Sequence, residues 1–201
     1  MAESLTKAHL RTSGVNTFFR PRDVRRLGIS YHDIQRMVAE GHVEAAGAGV
    51  YRLANVEATE METIAMVASA VPHAIICLLS ALRVHDIGTQ SPREVWLAID
   101  RKARKPTRLP AAARIVRFSG QMATYGVLRE SVQGVNVRVT SPARTVVDCF
   151  RYRNKIGLDV AMEALRDAVR SHKARVSEIE RAAEVCRIST VIGPHLAALS
   201  T

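Results

Sequence analysis

The chain has 201 residues, of which 47% are hydrophobic and 4% aromatic, and its formal net charge is +10. That apolar share supports a packed core and excludes global disorder, and the length suits one medium domain or a small domain beside a larger one. Scarce aromatics argue against proteins that bind single strands by base stacking, and no apolar run approaches the roughly 18 residues of a membrane span.

Residues 3–14 are expected to be helical. RPRDVRRL at 20–27 makes a second short helix, with Pro21 near the first turn, where a missing N–H costs little. Gly28 and Ile29 make a turn. Ser30 then stands as a helix N-cap with Asp33 at the capping-box position. The following helix, Tyr31 to Glu40, places Ile34, Met37 and Val38 on one face. Gly41 ends it. A hairpin is expected next: strands at 42–44 and 50–53 joined at Gly47-Ala48-Gly49, where glycine reaches positive φ without penalty.

Residues 54–59 read as a polar hinge. Two helical segments, 60–71 and 74–86, are separated at Pro72. Residues 93–99 read as a strand, 101–110 as a basic, proline-bounded loop and 114–118 as another strand. Residues 125–132 and 135–140 form a hairpin around Gln133-Gly134. Ser141-Pro142 opens a helix to Phe150, and two or three helices fill 157–199. The expected fold class is α+β. An N-terminal winged helix-turn-helix at 1–56 precedes a larger mixed α/β domain at 57–201 with a helical C-terminal tail.

In a helix-turn-helix the second helix enters the major groove, and its exposed N-terminal residues meet base edges. With Ile34, Met37 and Val38 inward, the outward set is Ser30, Tyr31, His32, Gln35 and Arg36. Gln35 can bridge adenine N6/N7, and Arg36 can meet guanine O6/N7 or a phosphate. Arg20, Arg22, Arg25 and Arg26 line the preceding helix, where backbone phosphates would pass. Arg52, beyond the wing tip, is placed for phosphate or the minor groove.

Charge is unevenly spread. Residues 1–55 hold 8 basic and 5 acidic side chains, 56–100 hold 2 and 6, 101–155 hold 13 and 2, and 156–201 hold 6 and 6. The central excess, with Arg101, Lys102, Arg104, Lys105 and Arg108 at its start, reads as a second polyanion surface for DNA or an acidic partner.

Cys77, Cys149 and Cys186 lie far apart in apolar stretches without a CxxC pair, which points to buried small hydrophobes rather than a zinc site. An odd cysteine count without a signal peptide fits a reducing cytoplasm. Asp100-Arg101-Lys102 after an apolar strand has the form of a (D/E)-x-K nuclease end, with Asp86 or Glu94 as the upstream acid. D-x-K is common by chance, however, and here it opens a basic loop. His85 is expected to cap or pack, Ser141 to start a helix, and Asp148 to pair with Arg144 at i, i+4. No catalytic residue, cofactor or metal is expected.

The run from Phe18 to Val43, FFRPRDVRRLGISYHDIQRMVAEGHV, followed by GVYRL at 49–53, resembles the N-terminal domain of AbiEi-type antitoxins. SALRVHDIG at 80–88, VRVTSPARTVVDCF at 137–150 and AMEALR at 161–166 resemble later segments of that family, in the family's order. The resemblance implies the antitoxin of a bacterial type IV toxin–antitoxin pair. Its winged helix would repress its own operon at inverted repeats in promoter DNA. Its C-terminal domain would counter a nucleotidyltransferase-like toxin, directly or functionally. The chain lacks the Gly-Ser and paired carboxylates that such a toxin needs. A monomer or weak dimer is expected, with a stand-alone winged-helix regulator as the alternative role.

Overall fold

The structure, a computed structural model, describes residues 15–56 and 61–199. The helix expected at 3–14 and the end of the expected hinge lie outside these residues. The fold is α+β, and the chain divides into two compact units. One comprises the described residues up to Pro72 with 106–112 and 130–137; the other comprises 73–105, 113–129 and the remainder from Arg138.

In the first unit, β1 (Phe18–Phe19) leads into α1 (Pro21–Val24) and a 3-10 turn (Arg25–Leu27). Next come α2 (Tyr31–Ala39), β2 (Val43–Gly47), β3 (Val50–Leu53) and α3 (Glu62–Ala70). β3 is the middle strand of an antiparallel sheet ordered β1-β3-β2. Ile34 and Met37 of α2 are buried among Phe19, Val24, Ile29, Val43, Tyr51 and Leu53, with Val38 packed at the edge. The β2–β3 connection turns at Ala48 (φ 51) and Gly49 (φ 75), the two positive-φ positions of a type I′ hairpin.

The second unit begins with β4 (Ile75–Ile76), α4 (Leu78–His85), β5 (Val95–Asp100) and β6 (Ala113–Phe118). The β7 (Val127–Val132) and β8 (Val135–Thr140) hairpin follows in the chain, its tip, residues 130–137, counting with the first unit. Then come α5 (Pro142–Arg151), α6 (Arg153–Ile156), α7 (Leu158–Arg170), α8 (Val176–Val185) and α9 (Ser189–Ala197). The five-stranded sheet runs β6-β5-β4-β8-β7. It is mixed: β4 is antiparallel to β5 and parallel to β8, while β5 and β6 are parallel.

The continuous helix expected over 74–86 begins only at Leu78, because Ile75 and Ile76 form a strand. Ala74 to Leu78 are all buried. A short apolar run buried on both faces has no helical or strand periodicity to read, and sheet hydrogen bonds to β5 and β8 decide it.

α5 occupies the centre of this unit, packed by α4, α7, α8 and α9. Ser141 caps it, accepting the Arg144 N–H, and Pro142 opens it. Every side chain from Arg144 to Phe150 is buried, including the ion pair of Arg144 Nε with Asp148 Oδ1 at 2.9 Å. Arg144 also donates to the carbonyls of Tyr125 (2.8 Å) and Met122 (3.2 Å) and lies over the Phe118 ring. Burial pushes the Asp148 carboxyl up to about 6, against the lowering effect of Arg144. His85 Nε2 lies 2.6 Å from the Thr140 carbonyl oxygen at the end of β8. All three cysteines are buried free thiols.

Candidate nucleic-acid interface

α2 is set by its own sequence. Ser30 Oγ accepts the Asp33 N–H at 3.2 Å, and Asp33 Oδ2 accepts the Ser30 N–H at 2.9 Å and its hydroxyl at 2.6 Å. Those bonds hold the Asp33 carboxyl below its usual range, aided by Arg36. Gly28 (φ 76) precedes the cap and supplies the left-handed turn that separates α2 from the preceding 3-10 turn. Ser30→Ala is expected to cost about 1 kcal/mol in urea unfolding. The Asp33 side of the cap has a lowered folded pKa. Its contribution is therefore present above the ordinary 3.8 and is lost as pH falls through the lower folded value.

With Ile34 and Met37 buried, the opposite face carries Tyr31, His32 and Gln35 in solvent, Tyr31 being 61% exposed. Gln35 Nε2 donates to the Tyr51 hydroxyl of β3 at 3.0 Å. Burial and the neighbouring Tyr31 hydroxyl push the Tyr51 phenol up, so it stays protonated near neutral pH. Arg36 is half-buried and pairs with Asp33 at 3.2 Å. The sequence points to Gln35 but not to Tyr51, whose place in the short strand VYRL gives no sign of a polar role.

The arginines divide into two groups. Arg22, Arg25 and Arg26 are exposed on α1 and the 3-10 turn. Arg22 Nε stands 3.6 Å from Asp23, and Arg25 and Arg26 make no ion pair among the described residues. Arg20 and Arg52 have intramolecular partners instead. Arg20 NH1 donates to the Ala70 carbonyl at the end of α3 at 2.7 Å. Arg52 pairs with Glu44 (3.2 Å) and Glu62 (3.1 Å) and donates to the Val56 carbonyl (2.6 Å). Each ties α3, or the chain leading to it, to the three-stranded sheet.

Arg101, Lys102, Arg104, Lys105 and Arg108 are all exposed. Asp86 follows α4 in the left-handed conformation (φ 54), Glu94 pairs with Arg114 at 3.0 Å, and Asp100 accepts the Lys102 N–H at 2.8 Å. Among the described residues, no group of three or more His, Cys, Asp or Glu side chains is arranged to hold a metal ion. No helix among them is long and apolar enough to cross a membrane.

The described residues thus define an α+β protein with one three-stranded and one five-stranded sheet. The chain is similar in fold to the RV2827C protein from Mycobacterium tuberculosis, known from a crystal structure, with a TM-score of 0.58 and 12% identity over 89% of this chain and 69% of that one. At that identity the likeness concerns the fold alone. No protein-family model matches the chain, and no curated protein matches it.

Proposed function

We propose that the first unit is a winged helix-turn-helix that binds duplex promoter DNA, and that the chain is the autorepressing antitoxin of a type IV toxin–antitoxin pair. The observation that carries the DNA-binding part is α2. It is a capped helix with one face in the core and Tyr31, His32 and Gln35 in solvent, preceded in the chain by three exposed arginines. Such a helix suits the major groove, with Gln35 at base edges and Arg22, Arg25 and Arg26 at phosphates. The glycine-tipped β2–β3 hairpin suits a wing. Arg20 and Arg52, with their intramolecular partners, serve as braces of this unit rather than DNA contacts. The antitoxin part rests on the resemblance of the chain's ordered segments to AbiEi-type antitoxins.

Gel shifts with the chain's own upstream promoter against an unrelated duplex test the DNA-binding part. A sequence preference is expected, and equal affinity for both duplexes would contradict it. Co-expression with the nucleotidyltransferase-like protein encoded beside the gene tests the antitoxin part. Restored growth is expected. Persistent toxicity, or the absence of such a neighbour, would leave a stand-alone regulator.

Tyr51 enters as a positioning residue. It holds the Gln35 amide, so the groove-facing atoms of Gln35 are fixed before DNA arrives. Tyr51→Phe keeps the ring in the core and removes the hydroxyl. Its expected effect is about a fivefold loss of preference for promoter over unrelated duplex, the worth of one hydrogen bond of roughly 1 kcal/mol. Binding to unrelated DNA should be unchanged, and an equal loss on both duplexes would assign Tyr51 a purely structural role.

A further inference from the structure

The turn after β5 concentrates charge in a form that the α2 face does not use. Arg101, Lys102, Arg104 and Lys105 are all exposed, Ala103 is the sole uncharged side chain among 101–105, and none of the four cations makes an ion pair among the described residues. The one adjacent acid, Asp100, is engaged by the turn itself, its Oδ1 accepting the Lys102 N–H at 2.8 Å. The backbone is held over its first half, Asp100 to Ala103. Arg101 N–H donates to the Phe118 carbonyl at 2.9 Å, and Ala103 N–H donates to the Asp100 carbonyl at 3.0 Å. From β6, Arg117 NH1 donates to the carbonyls of Asp100 (2.9 Å), Arg101 (3.2 Å) and Ala103. One guanidinium therefore organises the turn and adds its own charge to it.

Like charges held together in a fixed turn repel one another, and a polyanion relieves that repulsion. The choice among polyanions follows from what the turn lacks. It has no aromatic side chain for stacking a single strand and no apolar anchor for a protein interface core. A duplex phosphate backbone asks only for point cations at fixed spacing. We infer that the Arg101–Lys105 turn of the second unit is a sequence-independent contact for the phosphates of duplex DNA. This contact does not depend on whether α2 reads bases. Preorganisation of the turn lowers the ordering cost of making it.

The test uses the full chain and a duplex of unrelated sequence. The affinity of wild type is compared with that of a variant carrying R101Q, K102Q, R104Q and K105Q, across a range of salt concentrations. The slope of log K against log salt should become shallower by about 0.9 for each phosphate contact removed, up to about 3.6 for all four. The paired variants R101Q/K102Q and R104Q/K105Q should each give part of that change, which keeps the result readable if the quadruple variant folds poorly. A variant carrying R22Q, R25Q and R26Q reports the α2-side contacts separately. On that background the turn substitutions should still flatten the slope, so failure of the α2 reading and failure of this one are distinguishable. An unchanged slope in the turn variants would overturn the inference. So would an unchanged slope together with lost binding to a polyglutamate chain, which would assign the turn to an acidic polypeptide.

Discussion

Replacing Gln35 and Arg36 together by alanine is expected to weaken binding to the native promoter by about 1–3 kcal/mol for each base contact removed, about 5- to 150-fold each. Binding to unrelated duplex should change little. Gln35 lies on the exposed face of α2, and Arg36 is half-exposed one residue on. Neither belongs to the core built by Ile34 and Met37, so the fold should survive the change. Arg36→Ala also frees Asp33, a small effect confined to the first turn of the helix. Arg22, Arg25 and Arg26 are expected to behave in the opposite way. Their replacement by glutamine should weaken all duplexes alike and flatten the salt dependence, as phosphate contacts do. An equal loss on promoter and unrelated DNA in the Gln35/Arg36 variant would move those residues out of the base-reading set.

The second large effect concerns stability. Arg144→Met should destabilise the protein by about 3–5 kcal/mol in urea unfolding, because it leaves Asp148 without its partner in a fully buried site. The carbonyls of Tyr125 and Met122 lose their donor at the same time. Those carbonyls belong to the segment leading from β6 into β7, where Gly126 (φ +60) lets the chain approach Arg144. A Cβ at Gly126 would come within 2.9 Å of Arg144 Cβ. The double variant Arg144→Met/Asp148→Leu should recover much of the loss, since replacing a buried pair by apolar side chains is often near neutral. A single variant within about 1 kcal/mol of wild type would show that the pair does not hold the α5 core together.

Local chemistry was legible in the sequence where its cause is local. Ser30 with Asp33 announced the start of α2, Gly47-Ala48-Gly49 the hairpin, and Ser141-Pro142 the start of α5; each element lies where those signals put it. The i, i+4 spacing of Arg144 and Asp148 was equally visible, but the same spacing describes a surface pair. Only the packing of four helices around α5 makes it a buried one. β4 is not legible as a strand because the apolar run around it, Ala74 to Leu79, carries no periodicity of its own. The arginines show the limit most clearly. Arg20, Arg22, Arg25 and Arg26 look alike along the chain. Yet Arg20 reaches the Ala70 carbonyl, 50 residues away, while the other three stay in solvent. Tyr51 was missed for the same reason, since its bond to Gln35 joins a strand to a helix 16 residues earlier.

The central claim is that α2 presents Tyr31, His32 and Gln35 to duplex promoter DNA. It is tested most directly by titrating the isotope-labelled full-length protein with its promoter duplex and following backbone amides by NMR. The account predicts saturable shifts concentrated at Ser30 to Arg36 and Arg22 to Arg26, larger for promoter than for unrelated duplex. Promoter binding that leaves the α2 amides unmoved would contradict it, as would identical shifts with every duplex.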